Sequence, residues 1–276
     1  MSVYFSIQLL QPNPAFLWAQ AVQAAAEQNA IDAREEAYIM MRKARDKLSD
    51  RGSEEKYTVE DHLFHFAIAG VAGGGKSSLI NAFRGLRIKD RDAAATGIIE
   101  TTLAMARYPD YNPDFPFVWY DIPGVGNLRI SDWQYFNAQG LYVFDCIMVL
   151  FENRFTMTDI AILANAKRFK IPTYIIRSKS DQHIQNMVDE MVYVLDSDED
   201  EDNGDLQAQL YKVARTQFIA NTRRKVKVGL EKANLPDQRV YIISRDTLLG
   251  IVQGKQPKNA IDEVALLMDL HNEAHA

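Results

Sequence analysis

The chain has 276 residues, of which 47% are hydrophobic and 25% are charged. These proportions are ordinary for a globular protein, and they exclude a collagen-like, a disulfide-rich and a largely disordered chain. The formal net charge of −6 argues against a surface that condenses as a whole onto nucleic acid, so we expect no nucleic-acid partner. The length allows one α/β domain with an appended helical segment.

The first 52 residues are predicted to form that helical segment. Between Pro14 and Leu48 there is no glycine and no further proline, and Ala, Gln, Glu, Arg and Met are frequent, which favours helix. One long bent helix and a pair of helices fit the apolar spacing equally well. A glycine at position 52 marks the predicted linker to the next domain.

Residues 53–256 show short apolar runs that alternate with helical patterns. This alternation predicts an α/β fold with a mostly parallel sheet flanked by helices. The predicted strands span residues 65–69, 103–107, 117–121, 146–151, 173–177 and 240–244. The predicted helices span residues 77–85, 132–139, 158–168, 183–195 and 206–233. A short C-terminal helix near 259–271 is predicted within a last segment, 257–276.

The acidic run 196–205 is too densely like-charged to pack against a core, so it is predicted to be a solvated insertion. Its spacing does not match the calcium-binding loop of an EF-hand.

The chain shows no secretory signal and no apolar run of about 18 residues. With Cys146 as its single cysteine, we expect a reducing compartment, the cytoplasm.

The segment from Gly70 to Ser77 carries the strongest motif. An apolar strand runs into Gly-x-x-x-x-Gly-Lys-Ser and then into a helix, which is the phosphate-binding loop of P-loop nucleotide-binding proteins. Its glycines let backbone N–H groups converge on a polyphosphate. Lys76 is predicted to contact the β- and γ-phosphates, and the Ser77 hydroxyl to bind Mg²⁺. The predicted phosphate-binding residues are Gly70, Gly73, Gly74, Gly75, Lys76, Ser77 and Ser78.

A second motif, Asp121-x-x-Gly124, ends the predicted strand 117–121. In phosphoryl-transfer proteins this pattern brings a carboxylate near Mg²⁺ and a backbone amide near the γ-phosphate. The sequence therefore predicts that Asp121 is a metal-binding residue and that Gly124 is a nucleotide-binding residue.

A third motif, residues 178–181 with the sequence Ser-Lys-Ser-Asp, resembles the Asn/Thr-Lys-x-Asp motif of GTPases. Asp181 would accept hydrogen bonds from N1 and the amino group of guanine, which adenine cannot donate. The stem of Lys179 would lie along the base. Ser178 stands where Asn or Thr is usual; it keeps a hydroxyl but has a shorter reach. Ser244, at the end of the last predicted strand, is expected beside the base.

Three runs together resemble the immunity-related GTPase family in order and spacing: 73–86 (GGGKSSLINAFRGL), 93–102 (AAATGIIETT) and 121–126 (DIPGVG). The resemblance covers roughly Asp61 to Leu270. It implies GTP hydrolysis to GDP and phosphate with Mg²⁺, in a dynamin-like cycle. GTP-bound subunits of such proteins form homodimers or homo-oligomers, often on intracellular membranes, and stimulate one another's hydrolysis. No basic amphipathic helix is evident in the sequence, so peripheral membrane association rests on the resemblance alone.

The resemblance also implies roles for switch residues. Thr96 and Thr102 match the threonines of the first switch, and Glu100 matches an acid tied to catalysis across the dimer. Lys76 matches the subgroup that carries Lys rather than Met at this position. The catalytic residues implied are Lys76, Glu100 and Thr102. Val125 stands where small GTPases have a water-positioning Gln, so slow intrinsic hydrolysis is expected.

Two alternatives remain at this point. A nucleotide-dependent scaffold with negligible turnover is suggested by Val125 and Ser178. An ATP-using P-loop enzyme is suggested by the atypical 178–181 motif.

Overall fold

The computed structural model of the protein describes residues 63–96, 105–112, 115–124, 132–194 and 204–275. The chain divides into two units, Met1–Leu48 and Ser49–Ala276, and all the described residues belong to the second. The predicted helical segment 1–52 and the switch residues Glu100 and Thr102 lie outside the described residues. The same holds for Val125 and for positions 196–203 of the acidic run.

Six strands form one sheet in the described part of the chain. They are β1 (Phe64–Gly70), β2 (Ala106–Pro109), β3 (Phe117–Asp121), β4 (Cys146–Phe151), β5 (Thr173–Arg177) and β6 (Val240–Ile242). Their spatial order is β2-β3-β1-β4-β5-β6. Strands β3, β1, β4, β5 and β6 pair in parallel, and β2 pairs with β3 in antiparallel fashion. The predicted α/β fold with a mostly parallel sheet is thereby confirmed.

The connecting segments are mainly helical. The helices are α1 (Lys76–Phe83), α2 (Asp132–Ala138), α3 (Met157–Arg168), α4 (Ser180–Val194), α5 (Gly204–Lys232), α6 (Arg245–Val252) and α7 (Glu263–Ala274), with a 3₁₀ turn at Leu141–Val143.

Several predicted boundaries were wrong. Strand β2 begins at Ala106 rather than at position 103, because Ala106 pairs with Asp121, the last residue of β3. Helix α5 begins at Gly204, so the last two residues of the predicted acidic loop are helical. Helix α6 was not predicted: strand β6 ends at Ile242, and Ser244, which had been assigned to that strand, caps this helix instead.

Apolar residues cover both faces of the sheet. Along β1, Phe66 and Ile68 point into a core shared with α1, α6 and α7, whereas Ala67 and Ala69 point into a core shared with α2, α3 and α5. This alternation explains why the parallel strands are continuous apolar runs in the sequence, since each face is buried. A third, smaller core lies between α4 and α5.

The topology brings five strand ends to one edge. Because β1, β3, β4, β5 and β6 run parallel, their carboxyl ends and the loops that follow lie together, which is where open α/β sheets bind ligands. Within the described ranges, no helix is both long and apolar enough to span a lipid bilayer.

Candidate functional site

The loop between β1 and α1 lies against the neighbouring strand. Gly70 has φ +136°, and a Cβ atom built on it would lie 2.1 Å from the carbonyl oxygen of Leu150 in β4. Gly73, at the apex, has φ +76°. Glycine is required at the first position by close approach and favoured at the second by backbone conformation. The loop can therefore expose its N–H groups in front of α1.

Lys76 folds back over this loop. The residue is only 6% exposed, and its Nζ donates to the carbonyl oxygens of Val71, at 3.1 Å, and of Gly70, at 3.4 Å. An ammonium group that donates to neutral carbonyl oxygens can exchange them for an anion, because a hydrogen bond between two charged groups is stronger than one to a neutral oxygen. The position suits the phosphate contact predicted for Lys76.

Ser77 and Asp121 meet although 44 residues separate them. The Ser77 hydroxyl donates to Oδ2 of Asp121, which is buried at the end of β3. The parallel pairing of β1 with β3, which sets Ile68 beside Asp121, brings the two side chains together. A hydroxyl and a carboxylate at one point match the oxygen ligands that Mg²⁺ prefers, so these residues fit the predicted metal.

The 178–181 motif is fastened to the same loop. The Ser178 hydroxyl lies 2.8 Å from the carbonyl oxygen of Gly74 and 3.3 Å from that of Phe151. Lys179, with φ +55°, donates from Nζ to the carbonyl oxygen of Gly73 at 3.1 Å. The short serine side chain thus reaches the phosphate loop, and the two motifs form one unit.

Glu152 also belongs to this site, and the sequence analysis did not identify it. Its Oε2 lies 2.9 Å from Nζ of Lys179, so it holds that side chain across the loop. Glu152 belongs to no motif, but it directly follows β4. Its place at the carboxyl edge of the sheet is the signal that could have revealed it.

Asp181 and Ser244 follow two neighbouring strands, β5 and β6. Asp181 is exposed in the first turn of α4, where its carboxylate is accessible to a ligand. Ser244 is buried and caps α6 by accepting from the backbone N–H of Thr247 at 3.3 Å. The backbone N–H of Ser180 donates to the carbonyl oxygen of Ile243 at 3.1 Å, which joins the two segments.

A buried carboxylate supports the Ser244 turn. Glu263 accepts from the backbone N–H of Ser244 at 2.9 Å and from that of Ile261 at 2.6 Å. Burial raises the pKa of Glu263, and these hydrogen bonds oppose the shift. Glu263, the first residue of α7, therefore stabilises the turn at Ser244.

The structure brings most of the predicted residues to one edge of the sheet. The loop from Gly70 to Ser78, Asp121 and the 178–181 motif lie together. Gly124 is buried three residues beyond the end of β3, and Thr96 is half-buried at the end of the first described range. Their roles toward a nucleotide stay predictions, as do those of Glu100 and Thr102. Among the described residues, no three His, Cys, Asp or Glu side chains cluster as a metal site.

Comparison with known proteins identifies the family. The sequence model described as Interferon-inducible GTPase (IIGP) matches residues 47–200, which is more than half of the chain. The chain belongs to the interferon-inducible GTPase family. The resemblance noted in the sequence is confirmed.

The relatives are distant and longer. Interferon-inducible GTPase 1 of Mus musculus is 31% identical over 153 residues, which cover 55% of this chain and 37% of that protein. Interferon-inducible GTPase 5 of Bos taurus is 35% identical over 118 residues, 42% of this chain and 25% of the relative. The chain thus spans well under half the length of these relatives. Translation elongation factor SelB of Methanococcus maripaludis, solved with the GTP analogue GppNHp, is 15% identical, with a TM-score of 0.43 over 78% of this chain and 35% of its own.

Proposed function

We propose that the chain binds GTP and GDP with Mg²⁺ at the carboxyl edge of its sheet and hydrolyses GTP to GDP and phosphate. One observation carries the proposal: Ser178 and Lys179 hydrogen-bond to Gly74 and Gly73. The 178–181 motif, which we propose selects the base, is therefore in direct contact with the phosphate loop. Membership of the interferon-inducible GTPase family supports guanine as the base.

The phosphate half of the site uses groups that are already oriented. In this proposal, Lys76 exchanges the carbonyl oxygens of Gly70 and Val71 for oxygens of the β- and γ-phosphates. The backbone N–H groups of the loop and of Gly124 donate to the phosphate oxygens of the nucleotide. Ser77 and Asp121 would hold Mg²⁺, which neutralises charge on the phosphates. Catalysis in such a site consists mainly of positioning and electrostatic stabilisation.

The base half of the site selects guanine. Asp181 accepts from N1 and the exocyclic amino group of guanine, and the stem of Lys179 covers the base. Glu152, paired with Lys179 at 2.9 Å, keeps that stem in place. The turn at Ser244 closes the far side of the base.

Turnover is proposed to depend on a second copy of the chain. The family resemblance assigns Thr96 and Thr102 to the first switch and Glu100 to catalysis across the dimer, and Val125 stands where small GTPases have a water-positioning Gln. A GTP-bound homodimer or larger homo-oligomer would supply the missing stabilisation in trans. A cytoplasmic location, with peripheral attachment to intracellular membranes, belongs to the same proposal.

The experiment is GTP hydrolysis per subunit over a range of protein concentrations in Mg²⁺, with ATP as the nucleotide control and Lys76→Ala as the inactive control. Specific activity that rises with protein concentration for GTP alone is expected. Tight GTP binding with flat, negligible turnover would instead indicate a nucleotide-dependent scaffold. Equal or faster ATP turnover would indicate an ATP-using enzyme.

A further inference from the structure

A cavity of about 480 Å³ lies beside the candidate nucleotide site, and its volume is typical of small-ligand sites. It is enclosed by the end of β4, the loop after β4, the end of β5 and helices α4 and α5. The residues predicted to bind a nucleotide do not line it. The cavity is therefore separate from that site, although Arg177 in its wall directly precedes Ser178.

Arg177 is a buried cation in the wall of this cavity. It is only 6% exposed, and its guanidinium lies over the rings of Phe151, at 5.3 Å, and Phe218, at 5.4 Å from the centroids. Its Nε and Nη1 are buried without a hydrogen-bond partner in the described part of the chain. Native proteins seldom leave buried donors unsatisfied, so these N–H groups need explanation.

The charge of Arg177 persists at neutral pH. Burial lowers the pKa of Arg177 to about 10, and Glu152 opposes the shift. Glu152 itself is paired with Lys179 at 2.9 Å, so its carboxylate is already engaged. A positively charged guanidinium therefore lies in the wall of the cavity, and two of its nitrogens have no hydrogen-bond partner among the described residues.

Two further cations stand at the rim. Arg154, in the loop after β4, and Lys225, on α5, line the cavity and are exposed, and neither has an ion-pair partner among the described residues. No carboxylate belongs to the described lining. A cavity with three cations and no acid attracts an anion, because low-dielectric walls strengthen the field inside it.

The remaining wall is largely apolar. Phe155, Met187 and Phe218 contribute hydrophobic surface, and Asn221 and Thr222 contribute polar groups. A bare inorganic ion would leave this surface in contact with water, whereas a ligand with an apolar body would cover it. The lining therefore matches a molecule with one charged end.

We propose that this cavity binds a small organic anion, whose phosphate or carboxylate group pairs with Arg177 and whose apolar body packs against Phe155, Met187 and Phe218. Planar guanidinium groups bind both kinds of oxyanion through paired N–H donors. The inference stands independently of GTP hydrolysis at the neighbouring site.

The test uses the full chain in excess GDP and Mg²⁺, which keeps phosphate probes away from the P-loop. Phenyl phosphate and benzoate are titrated separately, with inorganic phosphate and phenol as partial probes that lack the body or the charge. NMR follows the ring signals of Phe155 and of His183, which stacks on Phe218 with centroids 5.7 Å apart. We expect saturable shifts with at least one of the two organic anions, which also identifies the preferred oxyanion.

Variants assign the shifts to the cavity. Arg177→Gln should weaken binding about tenfold or more, as expected for the loss of a charged hydrogen bond. Because this change alters a buried position, the exposed double variant Arg154→Gln/Lys225→Gln provides a second measurement and should also weaken binding. Lys212→Gln, an exposed cation of α5 that does not line the cavity, is the matched control and should bind like the wild type.

Three results would overturn the proposal. They are the absence of saturable shifts with both organic anions, unchanged affinity in both the Arg177 variant and the rim variant, and inorganic phosphate binding as tightly as phenyl phosphate.

Discussion

Ser178 illustrates how one hydroxyl joins two motifs that are remote in the sequence. Its oxygen lies 2.8 Å from the carbonyl oxygen of Gly74 across 104 residues. Ser178 stands where the motif of GTPases usually has Asn or Thr, and its short side chain reaches the phosphate loop because the strand ends lie close together. A serine at this position is therefore compatible with GTP binding.

We predict that Ser178→Ala weakens GDP affinity about 2- to 10-fold, the range for one net hydrogen bond of about 0.5–1.5 kcal/mol. The loss arises because Gly74 and the loop around it are no longer tethered to β5. Isothermal titration calorimetry measures the effect, and Ser178→Thr, which keeps the hydroxyl, is the control. Equal affinity in the Ala and wild-type proteins would show that the tether does not support binding.

His183 gives the fold a sensitivity to acid. Burial lowers the pKa of His183, and Arg177 and Lys179 add to the shift, whereas Glu152 and Asp181 oppose it. In the unfolded chain the pKa is near the ordinary value of about 6.5. The unfolded state therefore binds the proton more readily, and the stability that neutral His183 contributes above that pH is lost as the pH falls below it.

We predict that His183→Gln flattens this acid limb. The free energy of unfolding, measured with urea at pH 7.5 and at pH 5.5, should fall less between the two pH values in the variant than in the wild type. An identical fall in both proteins would contradict the assignment of the titration to His183.

Part of the site could be predicted at the residue scale and part could not. The P-loop, Asp121 and the 178–181 motif were identified because each is a local pattern after a strand. Two contacts could not be predicted: that of Glu152 with Lys179 and that of Ser178 with Gly74. Both depend on the distances between the ends of β1, β4 and β5. Local sequence does not specify these distances.

At the scale of elements, β1 and β4 are packed so closely at their carboxyl ends that a side chain on Gly70 is excluded. Gly70→Ala is predicted to destabilise the fold by about 3 kcal/mol or more, because a Cβ atom 2.1 Å from the Leu150 carbonyl oxygen adds overlap to an unfavourable backbone conformation. Urea unfolding measures the loss.

Gly73→Ala is the matched control in the same loop. Among the described residues, no atom lies within 4 Å of a Cβ built on Gly73, so the expected penalty comes from the positive φ, at about 1 kcal/mol. Equal losses in the two variants would contradict the close approach of β1 to β4.

Helix α3 begins with a capping box. The Thr156 hydroxyl accepts from the backbone N–H of Asp159 at 3.3 Å, and the Asp159 carboxylate accepts from the backbone N–H of Thr156 at 2.7 Å. Thr156→Ala should lower the free energy of unfolding by about 1 kcal/mol, whereas Thr156→Ser should be nearly neutral. A loss of the same size in both variants would argue against the cap.

The strands were predicted well because their apolar runs are local. All six appear within a few residues of the predicted positions, with the largest shift at β2, an edge strand that is only partly buried. Helix α6 was missed because Ser244 fits both the end of a strand and a helix cap. The strand order β2-β3-β1-β4-β5-β6 is a property of packing between distant segments, so the sequence pattern alone did not provide it.

At the scale of the whole molecule, the candidate site is built by topology rather than by one segment. The loop from Gly70 to Ser78 starts at the end of β1, Asp121 ends β3, Glu152 follows β4 and the 178–181 motif follows β5. Parallel pairing brings these residues to one edge. The same edge holds the turn at Ser244 through Glu263 of α7. We therefore expect that unfolding of the sheet abolishes binding of the base and binding of the phosphates together.

Guanine recognition is tested most directly by measuring the affinity of the chain for GTP, ATP and xanthosine triphosphate in Mg²⁺, for the wild type and for Asp181→Asn. We predict that the wild type prefers GTP, and that Asp181→Asn weakens GTP binding tenfold or more while improving xanthosine triphosphate binding, because Asn can donate to the base where Asp accepts. Asp189→Asn, an exposed carboxylate on the same helix, should change neither affinity. Equal affinity for GTP and ATP in the wild type, or an Asp181→Asn protein with unaltered preference, would contradict guanine recognition at this edge of the sheet.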